Sequence, residues 1–423
     1  MEGLKKEIFD KVKDYFDMKE HKLPDKIGVA YPCIDHREVN QVIDSLLDMW
    51  ISQGPKVKQF EKEYSEYIGT DFGVACNSGS SANLLALTAL IQAGYLKEGD
   101  EVIVPASTFT TVISPILQTG LVPVFVDIEL ETYNNCPTAI KNAITDKTKL
   151  IMAVHSLGCP SKMGEIVKIA DDHGLYILED CCEAHGSSIN NKKVGSFGTI
   201  STFSFFVAHN MTTGEGGMVM TSDEKLYDIL TSIREFGRLK KYEKNQPRFY
   251  YEDGFLNDYD ERYVFTNIGY NLRMTDLAAS LGIEQLKKLD NFNKLRLETA
   301  EYYTQSLKKY DNYLMTPTIP SGCFHSFYGY PIVVKPTAKF TRKELINHLE
   351  SRNIETRAFM GGDLSIQPAY RDTICKVPFE MPNTKLILNN AFFIGSHSYI
   401  TKQQKEHIIT AFDEFFKKEI LDE

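Results

Sequence analysis

The sequence predicts an α/β fold: a mostly parallel sheet covered by helices, followed by a smaller C-terminal α+β domain. From about residue 73, short β-rich runs alternate with helical stretches, the signature of strand–helix–strand units. Runs such as KLIMAVH (149–155) and GLYILED (174–180) are apolar throughout rather than alternating, as strands buried on both faces are. Past residue 300 the order changes to a β-α-β pattern and a closing helix.

Taken in order, MEGLKKEIFDKVKDYF (1–16) spaces apolar residues at helical intervals among charges of both signs. That is an amphipathic helix, and it opens an N-terminal helical segment over 1–70. A large domain over 71–298 begins with the strand FGVACN (72–77) and a helix over 80–94 that closes on Gly94, a helix-ending residue type. DEVIVPA (100–106) is a strand, 109–120 a helix and VPVFVD (122–127) a strand. The apolar strands 149–155 and 174–180 enclose a helix over 163–174. SFFVAHNMTTGEGGMV (204–219) reads as a strand that enters a glycine turn and leaves as a second strand, and 271–310 as long helices. The small domain, 299–423, carries YGYPIVV (328–334), a helix over 342–353, IETRAFM (354–360) and a helix over 402–419. Between the domains PRFYYEDGFLNDYDERYVF (247–265) is rich in aromatics and acids; it is either a surface hairpin or a flap over a site.

The 423 residues are 43% hydrophobic and 25% charged with a net charge of −10, an ordinary globular composition. No Lys/Arg block stands out, which argues against a nucleic-acid partner. No apolar run approaches the roughly 20 residues that span a bilayer, and the first residues carry no secretory apolar core; the expected address is the cytoplasm. Eight cysteines are scattered without a C-x-x-C or C-x-C pair, so neither a zinc ribbon nor a ferredoxin-type cluster is signalled, and no metal site is expected.

In an open parallel sheet, ligands sit beyond the carboxyl ends of the strands, so the loops there are the candidate site. NSGSSAN (77–83) leads from a strand to a helix N-terminus. Gly79 allows a tight turn, and Ser80 and Ser81 offer N–H and hydroxyl groups to a phosphate, unless the serines merely cap the helix. LYILEDCCEAHG ends a strand with Glu179 and Asp180; a carboxylate there suits a protonated ring nitrogen, or serves as a cap or surface acid. Phe109 follows another strand and stacks on a planar ligand or joins the core.

Together these loops offer a phosphate cradle, a stacking face and an acid for a pyridine nitrogen, the needs of pyridoxal 5′-phosphate or its amine form, pyridoxamine 5′-phosphate. With WISQGPKVKQFEKEYSEYIG (50–69), GYNLRMTDLAASLGIEQL (269–286) and IETRAFMGGDLSIQPAY (354–370), nearly the whole chain resembles the DegT/DnrJ/EryC1/StrS sugar aminotransferases, which are fold-type-I, aspartate-aminotransferase-like enzymes of nucleotide-sugar biosynthesis. The resemblance implies that Gly79, Ser80 and Ser204 hold the phosphate, Phe109 stacks on the ring, Asp180 pairs with its nitrogen and Glu183 lies near its hydroxyl. Asn271 would reach the phosphate of a neighbouring subunit, which implies a homodimer with shared sites.

Most such enzymes have a lysine where this chain has His209. FFVAHNMTTGEGGMV is similar to the histidine-bearing subgroup, the 3-dehydratases that remove the C3 hydroxyl of a nucleotide-linked 4-keto-6-deoxyhexose. Imidazole cannot tether the cofactor as lysine does, so the resemblance implies a free amine cofactor that condenses with the 4-keto group. His209, titrating near neutrality, would take a proton from the cofactor and return one to the departing hydroxyl. One branch of the subgroup also carries an iron–sulfur cluster, with cysteines after the FGR segment. FGRLKKYEKNQPRFYYEDGF (236–255) has none; Cys181 or Cys182 matches one ligand, which holds no cluster. The expectation is a cluster-free enzyme whose amine form is restored by glutamate. Cluster-bearing relatives have a segment like AGNLTRQP where this chain has GGDLSIQP. Asp363 there replaces an amide and Ile366 a basic residue, which leaves the nucleotide and the sugar open. Two other readings stand beside this one: an aminotransferase using Lys192 or Lys193, and a catalytically silent cofactor-binding regulator.

Overall fold

The computed structural model describes residues 1–19, 25–239 and 256–421. Three helices come first: α1 (Glu2–Met18), α2 (His36–Leu47) and α3 (Pro55–Ile68). The sheet follows, with β1 (Phe72–Cys76), α4 (Gly79–Gln92), β2 (Glu101–Pro105), α5 (Thr110–Gln118), β3 (Val122–Val126), α6 (Pro137–Ala143), β4 (Thr148–Val154), α7 (Met163–His173) and β5 (Tyr176–Asp180). After the short hairpin β6 (Ser188–Ile189) and β7 (Lys192–Lys193) come β8 (Ile200–Ser204), β9 (Gly217–Thr221) and α8 (Glu224–Arg234).

Spatially the seven large strands run β1-β9-β8-β5-β4-β2-β3. β9 pairs antiparallel with both neighbours and every other pair is parallel. Six strands therefore point the same way, as the strand–helix alternation predicts. The apolar runs alternate between two cores. Val102, Val104, Leu150 and Met152 face the side of α4 and α5, while Ile103, Ile151 and Ala153 face the side of α7. Burial on both faces is why these runs show no polar alternation. α4 is apolar around most of its girth because it is sandwiched, and its Leu85 is fully buried, worth about 1.5–3 kcal/mol in transfer alone.

The expected long helices over 271–310 are one helix, α9 (Asp276–Leu307), capped by Thr275 Oγ1, which accepts from Ala278 N–H at 3.2 Å. Its Asp276 carboxylate accepts N–H groups of Gly54, Lys56 and Val57 at 2.7–3.1 Å, so the start of α3 is pinned to the start of α9.

Beyond α9, β10 (Leu314–Met315), β12 (Tyr330–Val334), β13 (Thr356–Ala358) and β14 (Ala391–Ile394) form a second sheet, while β11 (Cys323–Phe324) pairs with β6. The helices here are α10 (Arg342–Ser351), α11 (Pro382–Asn390) and α12 (Lys402–Leu421). The β-α-β pattern read from the sequence is present in order, but its strands are not neighbours. β14, a short buried run the sequence reading passed over, lies between β12 and β13 and is antiparallel to both. Ile27, from the N-terminal segment, bridges to Ile354 and joins this second core. No helix among the described residues is long and apolar enough to cross a membrane.

Candidate active site

Because six strands share a direction, their carboxyl ends gather on one edge of the sheet. β1 leads to Ser78–Ser80, β2 to Thr108 and Phe109, β4 to His155, β5 ends in Asp180 and β8 in Ser204. All of these line one cavity of about 410 Å³.

Ser78 is the N-cap of α4; its Oγ accepts from Ser81 N–H at 3.1 Å. The first amides of the helix lack intrahelical acceptors, and with the helix dipole they form an anion site. Gly79 is the first residue of the helix, and its role is close approach rather than the tight turn expected from sequence. A Cβ there would lie 2.4 Å from Ser204 Cβ and 3.2 Å from Cys182 Sγ, so only glycine lets the helix start seat against the end of β8.

Asp180 is buried. Its Oδ2 accepts from Asn83 Nδ2 at 2.8 Å and its Oδ1 from Cys182 N–H at 3.0 Å. Glu179, one residue earlier and on the opposite face of the strand, accepts the N–H groups of Gly195, Phe197 and Gly198 at 2.7–2.9 Å. Ser161 N–H donates to His155 Nδ1, so His155 Nε2–H donates to Glu179 at 3.2 Å. His155, Glu179 and Cys181 have ligand atoms within 4.8 Å of one another, but these hydrogen bonds already commit the histidine and the carboxylate. Glu183 accepts Leu157 N–H at 2.7 Å. Burial, with Asp180 beside it, pushes its carboxyl up to about 8.

His209 projects from the loop between β8 and β9. The expected strand–turn–strand is present, although β8 lies almost wholly before the stretch 204–219. Two side chains anchor the loop to α9: Asn210 Nδ2 donates to Asn293 Oδ1 at 2.8 Å, and Thr212 N–H to Gln285 Oε1 at 3.2 Å. His209 is half-buried, and its Nδ1 is sealed from solvent and has no hydrogen-bond partner among the described residues. Nε2 is the nitrogen left to face the cavity. Tyr328 packs beside the imidazole at 5.2 Å and His185 at 6.0 Å between ring centroids. Burial first, then the nearby His185 and Arg296, hold His209 well below 6.5. This corrects the expectation of titration near neutrality: the packed loop keeps the imidazole neutral.

Of the eight residues singled out from the sequence, Gly79, Ser80, Phe109, Asp180, Glu183, Ser204 and His209 line the cavity. Asn271 does not. It is exposed, its backbone bridges to Glu235 and its Oδ1 accepts from Arg273 Nε at 3.1 Å. Phe109 is 55% exposed at the cavity mouth. Asp363 caps the turn 364–366, accepting from Ser365 N–H at 3.0 Å, and Ile366 is exposed; Met360 is the part of this segment that reaches the cavity. The sequence reading passed over His155 and Tyr328, which also line it. His155 was visible as a strand-end residue, whereas Tyr328 had no such signal. Among the described residues no lysine or arginine lines the cavity. Lys192 and Lys193 lie elsewhere, over the rings of Phe197 and Tyr67. Of the segment 247–265, residues 247–255 lie outside the described residues, and 256–265 do not line the cavity.

The buried imidazoles make stability depend on pH. Burial holds His185 down to about 4 and His325 and His397 down to about 3. Below 6.5 the unfolded chain binds these protons and the folded chain does not, so stability falls as pH falls. Glu183 acts oppositely from 4.5 to 8, where only the folded state keeps its proton. With His209 also held down, four depressed imidazoles oppose one raised carboxyl, so the net expectation is that stability falls as pH drops from 6.5 to 4.5. Urea midpoints across that range test it; a flat profile contradicts the neutral, buried histidines.

A family model described as the DegT/DnrJ/EryC1/StrS aminotransferase family matches residues 32–413. The chain is 37% identical over 393 residues to the lipopolysaccharide biosynthesis protein RfbH of Salmonella typhimurium, covering 90% of each. It is 34% identical over 392 residues to a GDP-4-keto-6-deoxy-D-mannose 3-dehydratase of Yersinia pseudotuberculosis, covering 90% of this chain and 98% of the relative. A solved structure, GDP-4-keto-6-deoxymannose-3-dehydratase with a trapped PLP-glutamate geminal diamine, aligns with a TM-score of 0.84 at 33% identity, over 91% of this chain and 99% of that one.

Proposed function

Since this chain belongs to the DegT/DnrJ/EryC1/StrS aminotransferase family, we propose that it is a pyridoxamine/pyridoxal phosphate-dependent 3-dehydratase. Its substrate is a nucleotide-linked 4-keto-6-deoxyhexose, whose C3 hydroxyl it removes, with glutamate as amino donor. The observation that carries this reading is His209 at the wall of a cavity whose described lining contains no lysine. Relatives named as 3-dehydratases support it.

The residues present fit the cofactor. The amides of Gly79 and Ser80 and the Ser204 hydroxyl bind its phosphate, in a cradle that a Cβ at residue 79 would fill. Phe109 covers the ring, and Asp180 holds the ring nitrogen in its charged form. Glu183, protonated at neutral pH, is a hydrogen-bond donor for the ring oxygen. The bound cofactor supplies the amine for the sugar's keto carbon and a ring that withdraws electrons. His209 is neutral, so Nε2 takes a proton first; once charged, it has one to give to the departing hydroxyl.

The test is incubation with GDP-, CDP- and dTDP-4-keto-6-deoxyhexoses plus glutamate, followed by product masses. Loss of the C3 oxygen with glutamate alone is expected. A requirement for a reductase, or iron in the purified protein, contradicts the cluster-free assignment, which rests on the cysteine-free stretch 236–255.

A second subunit is part of this reading. The phosphate brings roughly two negative charges to a cavity lined by Asp180, Glu183 and Glu215 and, among the described residues, by no cation. In this reading Asn271, which is exposed and outside its own cavity, completes the site of a second copy. Asn271→Ala is expected to weaken pyridoxal phosphate binding about tenfold, the scale of one hydrogen bond to a charged group, with a dimer seen on sedimentation. Full affinity in a monomer contradicts the shared site.

A further inference from the structure

Asn83 lies on the second turn of α4, fully buried behind the cavity and not among its lining residues. Its Nδ2 donates to Asp180 Oδ2 at 2.8 Å and to the Thr111 carbonyl at 3.1 Å, and its Oδ1 accepts from Thr202 Oγ1 at 2.7 Å. A carbonyl can only accept, so the Thr111 contact fixes which end of the amide is nitrogen. The lock follows from strand register: Thr202 on β8 is paired directly with Asp180 on β5, and α4 packs across β8, from where Asn83 reaches both side chains. Asp180 Oδ1 is meanwhile held by Cys182 N–H at 3.0 Å. Each carboxylate oxygen thus has one donor from the fold and keeps lone-pair capacity for the cavity.

We propose that Asn83, locked by Thr202, is a positioning residue that fixes the rotation of Asp180 and keeps it a free-facing acceptor for a protonated ring nitrogen. The proposal rests on the cofactor reading above and goes beyond it by assigning the device that aims the acid. A neutral amide suits the task. It stabilises the carboxylate without neutralising it, whereas a cation in its place would compete for the charge and an apolar residue would leave the carboxylate free to turn.

The test measures dissociation constants for pyridoxal phosphate and pyridoxamine phosphate, and the ¹⁵N signal of the ring nitrogen in the bound, labelled cofactor. The proteins are wild type, Asn83→Leu, Thr202→Val, Asp180→Asn and the double variant Asn83→Leu/Asp180→Asn. Asn83→Leu is expected to weaken binding about tenfold and to move the nitrogen signal toward neutral pyridine; Thr202→Val moves both in the same direction by less. In the Asp180→Asn background Asn83→Leu should add nothing, because groups acting as one unit are not additive. An unchanged nitrogen signal in the single variants, or additive losses in the double variant, overturns the proposal. If Asn83→Leu does not fold, Thr202→Val decides alone, and an unchanged signal there overturns it. A wild-type protein that binds neither cofactor form overturns the functional reading itself, and this inference with it.

Discussion

His209→Asn is expected to bind pyridoxamine phosphate as the wild type does and to lose turnover by roughly 10²–10⁴-fold, the usual contribution of one positioned acid–base group. Affinity should persist because the phosphate and ring contacts proposed above belong to α4, Phe109, Asp180 and Ser204, none of which hydrogen-bonds His209 in the described structure. Asparagine keeps a polar side chain of similar reach but cannot accept a proton near neutral pH. Because the imidazole is held well below 6.5, wild-type kcat/KM should not fall as pH drops through 6.5, so long as the protein stays folded. A His209→Asn variant that removes the C3 oxygen at the native rate places the base elsewhere. His209→Lys adds a complementary reading: the new amine should capture pyridoxal phosphate covalently, seen by mass after borohydride treatment.

Asp180→Asn is the second large effect. Among the described residues the carboxylate is the one side-chain acid in the cavity held by two donors of the fold, Asn83 Nδ2 and Cys182 N–H. Replacing it with a neutral amide would remove the charge that, in the proposed function, keeps a ring nitrogen protonated. Electrostatic groups of this kind are worth about 10²–10³ in rate, and the absorption band of the bound cofactor should move as the ring deprotonates. The new amide keeps the volume but can accept from only one of those two donors, so its urea midpoint at pH 7 should fall, by an amount corresponding to about 1–3 kcal/mol. Native turnover in Asp180→Asn would mean that ring and carboxylate do not meet.

Much of the large sheet was legible because its strands are buried on both faces, and continuous apolar runs such as residues 149–155 have no competing explanation in a chain with turn residues at each end. The carboxyl-end rule then led to Gly79, Phe109 and Asp180, whereas Ser204 came with the family resemblance. β14 was not legible. Its run of four is too short for periodicity to speak, and Asn389 and Asn390 before it gave no clear turn type. The state of His209 was also beyond the sequence, since it depends on Tyr328, His185 and Arg296, distant in the chain and brought together by α9 and the start of β12. Asn83 was in view inside NSGSSAN, but its task is set by a strand register 97 residues further on. Asn271 stood out in a motif, yet any part it plays belongs to a second copy.

α9 has a mechanical consequence. At about 1.5 Å per residue, its 32 residues form a strut roughly 48 Å long. Gln285 and Asn293 grip the loop that carries His209, and Arg296, one turn on, grips the carbonyls of Phe327 and Tyr328 at 3.1 Å. Further along, Ala300, Tyr303 and Leu307 sit in the core of the small sheet. The His209 loop and the Tyr328 segment are thus bolted to adjacent turns of one rod. They cannot move apart without bending it, so the packing of Tyr328 beside His209 is set when the chain folds, before any ligand arrives. Cofactor uptake should then follow a single exponential with a rate linear in concentration, without the plateau that a slow rearrangement of this pair would impose.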